Sequence, residues 1–119
     1  MSEASGEERR ASLRAPMRFR LRRADTSDAL DSREGNISLG GFAWHGAALS
    51  VGTQVEVCFT LPGSSEEFRV RGQVLNVSYG ARGTSAHARF LDLPADVEQR
   101  IARYLEDVEQ AESNQGGGS

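Results

Sequence analysis

Met17-Arg18-Phe19-Arg20-Leu21-Arg22 alternates an apolar side chain with an arginine at every step. Successive side chains of an extended strand point to opposite faces, so this period of two predicts a strand with one apolar and one arginine face. The same alternation returns in Gln54 to Leu61, with Val55, Val57, Phe59 and Leu61 on one side and Gln54, Glu56, Cys58 and Thr60 on the other. Phe68, Val70 and Val74 continue it, interrupted by Gly72, a residue that in strands often marks a bulge or bend. A further strand is predicted around Gly35 to Leu39. It turns at Gly40-Gly41 and resumes through Phe42, Ala43 and Trp44, and a last strand covers Ala86 to Leu91 after a glycine-rich connection over 79–85.

Outward from these strands the pattern changes. Residues 1–8 are small, polar and acidic, and read as a disordered tail. Residues 9–16 form a basic arm without apolar period, closed by Pro16, and Asp25 to Glu34 reads as a polar loop. Pro94 suits the first turn of a helix. Beyond it Val97, Ile101, Leu105 and Val108 share one face, which predicts an amphipathic helix over 94–109 and a flexible tail over 110–119. Six or so short strands followed by one helix predict a mainly β domain, a small antiparallel barrel over 17–91 with the helix packed on it or capping it.

A length of 119 residues suffices for one hydrophobic core. Cys58 is the only cysteine, which excludes an intramolecular disulfide and a cysteine-based metal site. The chain shows no signal peptide and no apolar run of spanning length, so a cytoplasmic protein without membrane insertion is expected. The net charge of −3 argues against an anionic partner, but the charges are segregated. Arg9, Arg10, Arg14, Arg18, Arg20, Arg22 and Arg23 fall in one stretch without an acid, whereas the C-terminal end is acidic. Such a chain can steer an anion to one end.

Two short motifs flank the first strand. Arg10-Ala11-Ser12-Leu13-Arg14 is an R-x-x-x-R, and Asn36-Ile37-Ser38-Leu39-Gly40-Gly41 is an N-x-S-x-x-G. In this order, ahead of a β-rich body, they resemble the PilZ domain family, whose members bind the bacterial second messenger cyclic di-GMP. The resemblance runs from about Glu8 to about Val108, and the domain it implies covers 9–109. It implies a six-stranded barrel with a C-terminal helix, and a receptor that needs no cofactor beyond its nucleotide ligand. It also implies roles: Arg10 and Arg14 clamp guanine and phosphate, with Arg9 contributing beside them, while Asn36, Ser38 and Gly41 hold one guanine. Cyclic di-GMP is often bound in this family as an intercalated dimer.

The chemistry of these residue types agrees. Arginine combines permanent charge, a bidentate fork and a plane that stacks on a base. In a strand Asn36 and Ser38 would point the same way, outward, with Ile37 and Leu39 directed into the core, and the Asn36 amide both donates and accepts. Gly41, lacking Cβ, could take positive φ and let a base approach the backbone. The other arginines, Arg18, Arg20, Arg22 and Arg23, are better read as an exposed strand face that deters edge association. Trp44 is better read as core or barrel rim than as a stacking platform, and His45 and His87 as surface or loop histidines. Around Ala86 to Phe90 the chain lacks a glycine that PilZ sequences often carry before their last strand.

No catalytic constellation and no metal-ligand spacing emerges, so an enzyme is not expected. The expected function is a cyclic di-GMP receptor that passes its signal to an effector protein controlling motility, polysaccharide or adhesion. The alternative is a PilZ-fold adaptor that binds a protein without the nucleotide. DNA or RNA binding is not expected, because the strands lack the exposed aromatics that single-strand binders use.

Overall fold

The structure, a computed structural model, describes residues 13–46 and 49–117, the last five of these by backbone alone. Its elements are β1 (Ala15–Arg23), β2 (Asp31–Ile37), β3 (Gly41–His45), β4 (Gln54–Thr60), β5 (Glu67–Gly80), β6 (Gly83–Leu91) and α1 (Ala95–Gly117). The strands close into an antiparallel barrel in the order β1-β2-β3-β6-β5-β4, with β4 pairing back onto β1. The predicted fold class is therefore the observed one.

Alternation drives closure. Met17, Phe19 and Leu21 of β1, Phe42 and Trp44 of β3, Val55, Val57 and Phe59 of β4, and Ala86 and Ala88 of β6 all point inward and are buried. Phe42 is at the centre of an aromatic cluster, 5.4 Å from Phe19, 5.6 Å from Trp44 and 5.1 Å from Phe90 between ring centroids. Trp44 is thus a core residue, fully enclosed. Gly72 does not form the bulge: the register shift in β5 lies between Val74 and Asn76. A Cβ at Gly72 would stand 2.7 Å from the Phe42 ring, so this glycine exists to admit that aromatic.

Three boundaries differ from the sequence reading. β2 begins at Asp31, so the last four residues of the supposed polar loop are strand, with Phe19 opposite Arg33 and Arg18 opposite Glu34. Its composition hid it, since Asp31, Ser32, Arg33 and Glu34 carry no apolar alternation. β5 and β6 run on to meet in a hairpin at Ala81-Arg82, absorbing most of the glycine-rich connection. The helix extends to Gly117 rather than 109, because apolar periodicity reports only the packed turns and is silent where a helix leaves its support.

The outward arginines of β1 are ion-paired. Arg18 meets Glu34 at 2.8 Å, Arg22 meets Glu56 at 2.7 Å, and Arg23 meets Asp28 at 3.0 Å. Arg20 meets Glu67 at 2.5 Å. They form a charge ladder that fixes neighbours in register, not an open anion surface. Cys58 lies outward by alternation yet is buried, between its strand partners Arg20 and Arg69.

One rim of the barrel carries the start of β1, the turn between β2 and β3, and the end of β6. The helix follows from that rim. Val97, Ile101 and Leu105 are buried against it, and Leu13 and Leu39 join Ala102 and Leu105 around a small apolar gap. Tyr104 Oη donates a 2.6 Å hydrogen bond to the Pro16 carbonyl.

Candidate functional site

Leu13 and Arg14, the end of the first motif, and the second motif meet at this rim. Pro16 of β1 lies opposite Asn36 of β2, so the segment entering β1 passes beside the second motif. Arg14, exposed, extends its guanidinium along the outer face and donates a 3.1 Å hydrogen bond from Nη1 to Oδ1 of Asn36. Two side chains 22 positions apart in sequence become one unit, a positive plane held beside an amide. Arg9 and Arg10 lie outside the described residues.

Ser38 differs from the sequence reading. β2 ends at Ile37, and Ser38 enters the turn, where it is buried. Its hydroxyl donates to the Gly41 carbonyl at 3.2 Å and accepts from the Gly41 amide at 3.3 Å, while the Ser38 amide donates to the same carbonyl at 2.8 Å. The hydroxyl is therefore spent on closing the turn rather than displayed beside Asn36. Leu39 packs against the helix rim, as its apolar character requires.

Gly41 also has a structural reason that the sequence did not disclose. Its φ is not in the left-handed region, and a Cβ there would stand 2.1 Å from the Ala88 carbonyl oxygen of β6. The glycine lets β3 and β6 pair closely at the rim. Ser38 and Gly41 thus shape the turn that holds Asn36 in place.

The outer face continues across the barrel. Asn36 is opposite Ala43 of β3, which is opposite His87 of β6, which is opposite Asn76 of β5. Two strand spacings separate Asn36 from His87, about 10 Å, with only the methyl of half-buried Ala43 between them. One pair nearer the rim, Gly41 faces Arg89, whose guanidinium donates to Gln73 Oε1 at 3.0 and 3.3 Å. On this outer face Arg14 and Asn36 lie to one side of Ala43, and His87 and Arg89 lie to the other.

His87 is half-buried, and this burial, followed by the charge of nearby Arg14, pushes its pKa below the ordinary histidine value. Sequence reasoning assigned His87 to the surface and did not single out Arg89. The available signal was the alternation of Ala86, Ala88 and Phe90 inward, which sends His87 and Arg89 outward together.

What this face can do chemically is bind a planar, anionic group. Among the described residues no cluster of His, Cys, Asp and Glu could hold a metal ion, and no helix is long and apolar enough to cross a membrane.

The comparisons with known proteins agree with this architecture. A search of curated proteins returns no match. Among solved structures, the chain is similar to the Bacillus subtilis inhibitor of motility MotI/DgrA, at 15% identity and a TM-score of 0.68 over 83% of this chain and 50% of that one. It is similar to Escherichia coli YcgR, crystallised in complex with c-di-GMP, at 21% identity and a TM-score of 0.66 over 93% of this chain and 50% of that one. It also resembles the PilZ domain of CeSA from a cellulose-synthesizing bacterium, at 22% identity and a TM-score of 0.58 over 82% of this chain and 99% of that one. The chain spans about half the length of MotI/DgrA and YcgR. At these identities the likeness speaks for the fold. The family model for the PilZ domain matches residues 8–107, and with a closed six-stranded barrel followed by one helix, the chain belongs to the PilZ domain family.

Proposed function

We propose that this chain is a receptor for cyclic di-GMP and acts by binding, without chemistry on its ligand. The observation that carries the reading is the hydrogen bond from Arg14 to Asn36, which unites the two motifs on an outward face with the polarity a guanine nucleotide requires. The guanidinium supplies charge for phosphate and a fork or plane for guanine, and the Asn36 amide supplies a donor and an acceptor for the base edge. Arg9 and Arg10 complete the clamp from the preceding segment. Ser38 and Gly41 serve the site by holding the turn, and Gly41 leaves the face beside Arg89 without a side chain. YcgR, of the same fold, was crystallised with this nucleotide, which supports the choice of ligand.

The proposed role is cytosolic, with the signal passed to an effector protein by contact. The ligand is proposed to enter as an intercalated dimer, two nucleotides per chain.

Calorimetric titration with cyclic di-GMP tests the reading, with Arg14→Ala as control and GTP as competitor. Saturable binding near two per chain, lost in Arg14→Ala and untouched by GTP, is expected. A folded wild type that binds nothing would leave a protein-binding adaptor on an inherited scaffold. A stoichiometry near one would remove the dimer while keeping the receptor.

A further inference from the structure

We infer that His87 is a ligand-contacting residue of this outer face and takes up a proton as the nucleotide binds, so that affinity for cyclic di-GMP rises as pH falls. This rests on the receptor reading above and adds a regulation to the same site.

Placement is the first argument. His87 stands in the strand register directly across Ala43 from Asn36. A ligand held by Arg14 and Asn36 that lies across Ala43 meets the imidazole on its other side. Asn36 and His87 are separated by two strand spacings, or about 10 Å, with nothing bulkier than the Ala43 methyl in register between them.

Charge is the second. The groups around His87 are Arg14 from the segment before β1, Asn36 on β2, Ala43 and then His45 on β3, Asn76 on β5, and Arg89 along its own strand. Glu34, two residues from Asn36 on β2, is engaged by Arg18, and Arg89 is engaged by Gln73. The charge that acts on His87 in the free protein is the positive one of Arg14, which together with burial favours a neutral imidazole. A bound phosphodiester reverses that field. It neutralises Arg14 and offers anionic oxygens to an imidazolium, which donates from both ring nitrogens.

The sign follows from linkage. A group whose pKa is higher in the complex than in the free protein takes up protons on binding. Affinity is therefore lowest above the bound-state pKa, rises as pH falls through it, and levels off below the free-state pKa. With one proton linked, the steepest slope is about tenfold in Kd per pH unit.

The test is titration calorimetry of the wild type with cyclic di-GMP between pH 5.5 and 8, in buffers of differing ionisation enthalpy that report protons taken up. Expected are net proton uptake and tighter binding at low pH, both lost in His87→Gln, which keeps hydrogen-bonding capacity but cannot titrate. His45→Gln should retain both. In parallel, the imidazole signal of wild-type His87 followed by NMR should titrate at higher pH with ligand than without, a readout that stands even if His87→Gln fails to fold. Binding with no proton uptake, or with uptake that survives in His87→Gln, would overturn this inference and leave the receptor intact. No binding at any pH would overturn both.

Discussion

Tyr104 Oη donates to the carbonyl of Pro16, two residues from Arg14, and so ties the C-terminal helix to the start of β1. Burial pushes the Tyr104 pKa above its ordinary value. Tyr104→Phe should cost about 1 kcal/mol, a fall in Tm of roughly 4–8 °C for a domain of this size, measured by circular dichroism. With the folded pKa raised, the tyrosine's contribution is present below the ordinary tyrosine range. It is lost as pH rises through the folded value, so alkaline unfolding of the variant should be shallower than that of the wild type.

Ser38 and Gly41 should behave as structural residues even though they belong to the second motif. Ser38→Ala leaves the Gly41 amide without its hydroxyl acceptor, while the Gly41 carbonyl keeps the Ser38 amide, at about 1–3 kcal/mol. Gly41→Ala forces a Cβ onto the Ala88 carbonyl and should cost roughly 3 kcal/mol. Urea unfolding checks both. A loss of nucleotide binding in either variant without loss of stability would show a direct contact instead.

The free protein should show His87 titrating below the ordinary histidine range. Arg14→Ala should move that midpoint upward but not fully back, since burial is the larger cause. NMR of the imidazole protons reads this directly. Because the folded pKa is depressed, stability should decline as pH falls from about 6.5 toward the folded value, where the unfolded chain binds the proton first.

Arg89, held by Gln73 opposite Gly41, is placed to fork onto a base or phosphate at the rim. Arg89→Ala should weaken cyclic di-GMP by about 1–3 kcal/mol, the usual value of a bidentate arginine–guanine pair, while thermal stability changes little because the side chain is exposed. Calorimetry on this variant distinguishes a ligand contact from a bystander, which would bind as the wild type does.

Local alternation was enough to place β1, β4 and the packed turns of the helix, because burial on one side imposes a period that any reader of the chain can count. The two motifs marked the family and the segments that meet. What alternation could not disclose was β2 before Gly35, whose residues carry no apolar period and become a strand only because β1 lies beside them. Nor could it tell a hydroxyl aimed at a ligand from one closing a turn: Ser38 lies just past the end of β2, where the strand's period no longer holds. The glycines were legible as glycines but not as reasons, since the atoms that exclude a side chain at Gly41 and Gly72 belong to β6 and β3, distant in sequence. The placement of His87 and Arg89 across β3 from Asn36 is a product of barrel closure. Their nearness to Asn36 depends on which strands pair and in which register, and that is decided by the packing of the whole core.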